Sequence, residues 1–323
     1  MPQSDRPALC FAHAAYRLKE RCDVQAPDLA AAAFQVWDAD AMSARIGEAE
    51  IAVVSGLWDN AFLDRAPKLR FVQSISAGMD RFDVASFRAR GVRLASAQGA
   101  NERAVAEHAM ALILAMARRL HEARDNQANG FWRPMQGEPT LREDEVGGKT
   151  LAIVGFGRIG ARLARLAKAF DMKIVGLRRN PAGAEAGLAD EMAAIGDLAA
   201  ILPRADYVVL TCPLTPETRG LIDATALGRM KPGAILVNVA RGPCVVEADL
   251  IAALEAGTIA GAALDVTAEE PLPASSALWS IPQVFVTPHT AGETRAYESN
   301  IIALLAQNVE RLRRGEPLVN EIV

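Results

Sequence analysis

Short apolar runs alternate with longer stretches of helical period along the whole chain, the rhythm of parallel sheets covered by helices. In the first hundred residues the runs 9–13, 51–55, 69–74 and 92–95 predict strands, with helical or turn-rich segments between them. From Asn101, a candidate cap, the apolar positions Val105, Ala109, Leu112 and Met116 share one face and predict a helix reaching about residue 124. The polar stretch 125–148 carries Gly130, Pro134, Gly137, Pro139 and Gly147-Gly148 and reads as a long excursion, a type of segment that is usually functional or interfacial. Beyond it the runs 151–154, 173–177, 207–210, 234–239, 261–264 and 284–286 predict a doubly wound series of six strands. A closing helix over about 293–314 places Ile301, Ile302, Leu304, Leu305, Val309 and Leu312 at helical spacing.

The length of 323 residues exceeds what one core usually fills, about 250–300 residues, so two domains are expected. Half the chain is hydrophobic (51%) and the net charge is only −4, which excludes a disordered chain and the basic footprint of a nucleic-acid binder. The longest apolar run, 109–117, falls short of the roughly 18–20 residues that span a bilayer. Arg6 and the apolar stretch 8–16 imitate a leader, but His13 interrupts them and no clear cleavage site follows, so the stretch reads as a buried strand. Cys10, Cys22, Cys212 and Cys244 show no CxxC pair and no metal spacing; they read as reduced core thiols, with no metal site and a cytoplasmic location.

Gly155-Phe156-Gly157-Arg158-Ile159-Gly160 follows one predicted strand and opens a helix, the context a GxGxxG needs to be a dinucleotide fingerprint. Gly155 suits the tight turn, Gly157 a close backbone approach to pyrophosphate, and Gly160 close helix–strand packing. The first-turn N–H groups of Arg158, Ile159 and Gly160 would face the phosphates. An NAD site normally carries an acid about 20 residues on, to bind the ribose 2′-hydroxyl. Here Arg178, 23 positions beyond Gly155, and Arg179 stand in that place. Guanidinium forks suit a 2′-phosphate, so NADP is the expected cofactor, with NAD possible.

Of the four histidines, His13, His108, His121 and His289, only His289 directly follows a strand of the nucleotide-binding series. Arg241 follows another strand, and Asp265 and Glu270 a third, so an Arg, two acids and a His gather at the carboxyl ends of one sheet, where ligands bind. His13, His108 and His121 read as structural. With the segment 212–218 (Cys-Pro-Leu-Thr-Pro-Glu-Thr) and the Arg241, Glu270 and His289 segments in order, the chain resembles the D-2-hydroxyacid dehydrogenase family over essentially its whole length.

That resemblance implies His289 as acid/base, Glu270 as its carboxylate partner and Arg241 as binder of the substrate carboxylate and carbonyl. It implies that Asp265 holds the nicotinamide carboxamide, that Cys212-Pro213 lines the cofactor, and that the N–H groups of Ser76-Ala77-Gly78 receive the substrate carboxylate. The arginine pair resembles the NADP-using glyoxylate/hydroxypyruvate reductase branch, and the expected reaction is reduction of a small 2-keto acid to the D-2-hydroxy acid. Trp58 is either a liner of the substrate pocket or simply a partly buried aromatic. The fold implied is α/β with two doubly wound parallel-sheet domains. A Rossmann cofactor domain (101–289) is inserted into a flavodoxin-like substrate domain (1–100 and 290–323), with a cleft between them and closure about the crossings near Asn101 and Thr290. The long helix and the excursion resemble elements that pair subunits, which implies a homodimer. Two other readings share the motifs: an NAD(P)-sensing, corepressor-like binding protein, and a phosphite-type dehydrogenase.

Overall fold

The structure, a computed structural model, describes residues 7–182 and 186–323; Arg6 lies outside them. The chain forms two compact units, one from Met1–Asn101 with Glu293–Val323, the other from Glu102–Gly292. In sequence, the second is inserted into the first.

The first unit holds five parallel strands, β1 (Leu9–Ala12), β2 (Ala33–Val36), β3 (Ile51–Val54), β4 (Phe71–Ser74) and β5 (Arg93–Ala95), in the order β2-β1-β3-β4-β5. The order reverses between β1 and β3, the flavodoxin-like pattern. All four residues of β1 are buried. Leu9 and Phe11 enter one apolar cluster, with Leu18 and Cys22 of α1 (Leu18–Gln25) and with Ile301, Ile302 and Leu305 of the closing helix Tyr297–Arg313. Cys10 and Ala12 enter the opposite cluster. The two-residue period of the strand thus serves two covered faces.

The second unit repeats the plan with seven parallel strands: β6 (Thr150–Val154), β7 (Lys173–Arg178), β8 (Glu191–Ala194), β9 (Tyr207–Leu210), β10 (Ile235–Asn238), β11 (Gly261–Leu264) and β12 (Val284–Val286). Their order is β12-β11-β10-β9-β6-β7-β8. The chain reverses direction across the sheet between β6 and β9, so the loops after these two strands flank the crevice where doubly wound sheets bind ligands. In β6, Leu151 and Ile153 face the cluster that includes α2 (Glu102–Ala117), while Ala152 and Val154 face the other.

Four expectations change. β2 and β8 carry no strong strand signal because both are edge strands whose residues are mostly half-exposed, so the cofactor series has seven strands rather than six. The helix from residue 101 does not run to 124: it stops at Ala117, and Arg119 takes a left-handed φ of 48°. The guanidinium of Arg119 bridges to Glu122 at 2.7 Å and to the Leu141 carbonyl at 2.8 Å, and a second helix, α3 (Leu120–Ala128), enters the predicted excursion. The closing helix starts at Tyr297 rather than near 293. Trp58 is 6% exposed and packs against Phe62, Phe82 and Phe87, which makes it a core residue of the first unit. No helix among the described residues is long and apolar enough to cross a membrane.

Candidate active site

The dinucleotide turn is shaped by contacts that only glycine permits. Gly155 has φ +97°, and a Cβ there would lie 2.4 Å from the Cys212 nitrogen, so the turns after β6 and β9 meet backbone to backbone. A Cβ on Gly160 would touch the Gly155 carbonyl and the Ile153 side chain at 3.0 Å, the close helix–strand packing expected of it. Gly157, by contrast, would meet nothing within 4 Å. It precedes the helix α4 (Arg158–Lys168) with no side-chain cap. The first-turn N–H groups of α4 have no intrahelical acceptor and open onto that space, a cradle that fits a pyrophosphate. The Arg158 guanidinium pairs with Glu102 at 2.8 Å, so what Arg158 can offer a phosphate is its backbone N–H.

Arg178 closes β7 and Arg179 follows it, and the described residues 177–182 at that strand end include no acid. Arg179 is 82% exposed and reaches only 3.9 Å from Glu217, an exposed pair too weak to hold it against a phosphate. Cys212 is 4% exposed, and its thiol is pushed far up by a hydrogen bond with the Cys244 thiol and by burial. What the segment Cys212-Pro213 can present to a dinucleotide is therefore backbone.

At the other strand ends, the turn after β12 brings His289 Nδ1 to 2.7 Å from Glu270 Oε2, while Glu270 Oε1 accepts from the Thr267 N–H at 3.2 Å. The Glu270 side chain therefore reaches the imidazole, whereas Glu269 offers its carbonyl to the Thr267 hydroxyl. The bond to Glu270 raises the pKa of His289 against the opposing effect of burial, and the nearby Arg241 charge pulls it down. Burial alone would raise Glu270, but the bond to His289, the imidazolium charge and Arg241 hold it below the usual carboxylate value. Arg241 follows β10 and donates from one nitrogen to the Ala240 carbonyl at 2.7 Å. Gly242, next to it, is a required glycine: a Cβ would lie 1.8 Å from the Thr267 carbonyl oxygen. That close approach brings the Arg241 loop against the Thr267–Glu270 loop. With Nδ1 committed to Glu270, Nε2 is the ring nitrogen of His289 left to exchange a proton.

Asp265, at the end of β11, is 2% exposed, and its carboxylate is bonded to the His289 turn itself, accepting from Thr287, Thr290 and Ala291. His108 belongs to the same group, with Nε2 at 3.0 Å from Thr287 Oγ1; nothing in its own helix signals this, because Thr287 lies 179 residues away. His13 caps its own turn, its Nδ1 accepting from the Ala15 and Tyr16 N–H groups, and His121 stacks on Phe285. In the first unit, the Ser76 N–H already donates to Ser74 Oγ at 3.0 Å, so of the segment Ser76-Ala77-Gly78 only the N–H groups of Ala77 and Gly78 can receive a ligand. The Ser76 hydroxyl pairs with Ser55 at 2.6 Å.

Residues 110–291 match the model of the family described as D-isomer specific 2-hydroxyacid dehydrogenase, NAD binding domain. The chain belongs to this family. It is 40% identical over 255 residues to glyoxylate/hydroxypyruvate reductase B of Yersinia enterocolitica, covering 79% of this chain and 77% of the relative. It is 36% identical over 282 residues to glyoxylate reductase of Korarchaeum cryptofilum, covering 85% and 83%. A structural neighbour is the NADPH-dependent glyoxylate/hydroxypyruvate reductase of Sinorhizobium meliloti in complex with NADP and malonate, at 27% identity and TM-score 0.82, covering 99% of this chain and 97% of that one. Like its family, this 2-hydroxyacid dehydrogenase is an oxidoreductase that uses a nicotinamide cofactor to interconvert 2-keto and 2-hydroxy acids. The likeness to reductases favours this activity over a cofactor-sensing or phosphite-oxidising role.

Proposed function

We propose that this dehydrogenase works as an NADPH-dependent reductase of small 2-keto acids, glyoxylate and hydroxypyruvate first among them, giving the D-2-hydroxy acid. The observation that carries the catalytic reading is the 2.7 Å bond between His289 Nδ1 and Glu270 Oε2, beside the charge of Arg241. A bound nicotinamide dinucleotide supplies the hydride. His289, kept protonated by Glu270, gives its Nε2 proton to the carbonyl oxygen as C2 is reduced, a contribution typically worth about 10²–10⁴ in rate. Arg241 holds the substrate carboxylate through its guanidinium fork and polarises the carbonyl. The N–H groups of Ala77 and Gly78 are proposed as further donors to that carboxylate, on the family resemblance. The same resemblance supports a contact from Asp265 to the carboxamide through whatever lone pairs the His289 turn leaves it.

The preference for NADPH rests on Arg178 and Arg179 at the end of β7, where a carboxylate would repel a 2′-phosphate. The neighbour described as NADPH-dependent and crystallised with NADP supports it. A homodimer is proposed from Phe131, Trp132 and Met135, which are 56%, 94% and 98% exposed in the stretch after α3, an apolar set that a second copy would cover. The cytoplasm is proposed because Cys10, Cys22, Cys212 and Cys244 are all free thiols, as a reducing compartment keeps them. The test of the reaction is consumption of NADPH and of NADH with glyoxylate, hydroxypyruvate, pyruvate and branched 2-keto acids. NADPH with the small acids should give the highest kcat/KM, and tight cofactor binding without turnover would replace the reductase with a sensor.

A further inference from the structure

The turn that carries His289 is held in an unfavourable shape. His289 sits at φ 55° in the left-handed region, which is unfavourable for a residue with a Cβ, and its N–H bonds back to the Thr287 carbonyl at 3.0 Å. What holds the turn is a buried carboxylate. Asp265 Oδ1 accepts from the Thr287 hydroxyl at 2.6 Å and from the Thr290 N–H at 2.9 Å, and Oδ2 accepts from the Ala291 N–H at 3.0 Å. These donors stand on both sides of His289 in sequence.

The next link follows from counting protons. A hydroxyl has one hydrogen, and that of Thr287 is directed to Asp265. His108 Nε2, 3.0 Å from the same Oγ1, must therefore donate to it, and Nε2–H is present whether the imidazole is neutral or charged. His108 Nε2 also lies 3.5 Å from Asp265 Oδ1, so its N–H dipole or charge faces the carboxylate directly. His108 projects from the middle of α2, whose neighbouring residues Ala109 and Met110 are packed in the core with Ile235, Val237 and Ala263 of the sheet. It therefore links a rigid helix to a strained turn.

We propose that His108 is a positioning residue for His289. By donating to Thr287 it fixes the Thr287 hydroxyl on Asp265, and the fixed Asp265 keeps the His289 turn in the left-handed shape that places Nδ1 on Glu270. His108 acts through Thr287 and Asp265, and the inference rests on the reading of His289 as the acid of a 2-keto acid reductase.

The test combines turnover with a measurement that needs none, using the full-length protein. In Thr287→Val the hydroxyl is gone, in Thr287→Ser it is kept, and in His108→Leu the donor is removed. The chain has four histidines, so the ring protons of His289 can be followed against pH by NMR. In that titration the groups facing His289 are Glu270, Arg241 and Asp265. The Val and Leu variants should lose about tenfold or more in kcat, the scale of a misplaced catalytic group, with the KM for NADPH changed less than about threefold. In both, the pKa of His289 should fall towards that of an unpaired histidine, and Thr287→Ser should keep both properties near those of the parent. An unchanged kcat and an unchanged His289 titration in His108→Leu or in Thr287→Val overturn the proposal, as does a Ser variant as impaired as the Val variant. If His108→Leu does not fold, His108→Phe, which keeps a ring but has no N–H to donate, takes its place. A parent enzyme inactive on every 2-keto acid overturns the reductase reading instead, and leaves the titration to judge the turn.

Discussion

In the proposed reaction His289 faces two demands, and its single bond to Glu270 answers both. Held at Nδ1, the ring presents Nε2 to the reacting oxygen, and the carboxylate raises its pKa so that the proton is there to give. Reduction needs the protonated form, so its rate should fall as pH rises through the raised pKa; oxidation of the 2-hydroxy acid needs the neutral form and should rise over the same range. In Glu270→Gln the imidazolium loses its charged partner, and both limbs should move to lower pH with a lower kcat for reduction. Superimposable pH–rate profiles for parent and variant would remove Glu270 from this role. Gly242→Ala should be among the most damaging small changes in the chain, because the added carbon would lie 1.8 Å from the Thr267 carbonyl oxygen. The expected outcome is loss of turnover with a lowered Tm, read by kinetics and thermal melting. At this scale the sequence showed which residues follow strands, and so which His, Arg and acids could meet. It did not show that the Ser76 N–H is occupied by Ser74, nor that His108 reaches Thr287, because neither contact has a local pattern.

Among the elements, β7 carries the proposed preference for NADPH. Its last residue is Arg178, and the following Arg179 is exposed on the loop. In the double variant Arg178→Ala, Arg179→Ala, the KM for NADPH should rise about tenfold or more, since charge-assisted bonds contribute roughly 1.5–3 kcal/mol, while the KM for NADH stays near its parent value. Equal rises for both cofactors would mean that the arginines do not read the 2′-phosphate. The central strands were legible because a strand covered on both faces reads as a continuous apolar run, as Leu9–Ala12 and Tyr207–Leu210 do. The edge strands β2 and β8 escaped because their half-exposed positions are filled largely by alanine and polar residues, as in Glu191–Ala194, rather than by the β-branched side chains that mark a strand. The break at Arg119 was hidden for a different reason: its helix-breaking backbone is held by Glu122 and by the distant Leu141 carbonyl, not by a glycine or a proline.

For the whole molecule, the ionisation of the pair gives stability a sign. His289 has a raised pKa, so its contribution is full below about pH 6.5, the unfolded value, and is lost as pH rises through the folded one. Glu270 has a lowered pKa, so its contribution is present above about pH 4.3 and is lost as pH falls. The Tm deficit of Glu270→Gln should therefore be largest between those limits and shrink at alkaline pH. It should also be small, because both side chains are more than a third exposed and solvent screens them. For the proposed homodimer, replacing Phe131, Trp132 and Met135 together with serine should halve the mass seen by light scattering, and an unchanged mass would count against a dimer joined through these residues.

The central claim is reduction of a 2-keto acid with His289 as the proton donor. Its most direct test is the steady-state turnover of NADPH with glyoxylate and hydroxypyruvate by the parent enzyme and by His289→Asn, alongside NADPH binding to each. Turnover by the parent, a loss of about 10²–10⁴ in kcat in the variant and nearly equal cofactor affinity are expected. Comparable kcat in parent and variant, or a parent that binds NADPH and reduces neither acid, would contradict it.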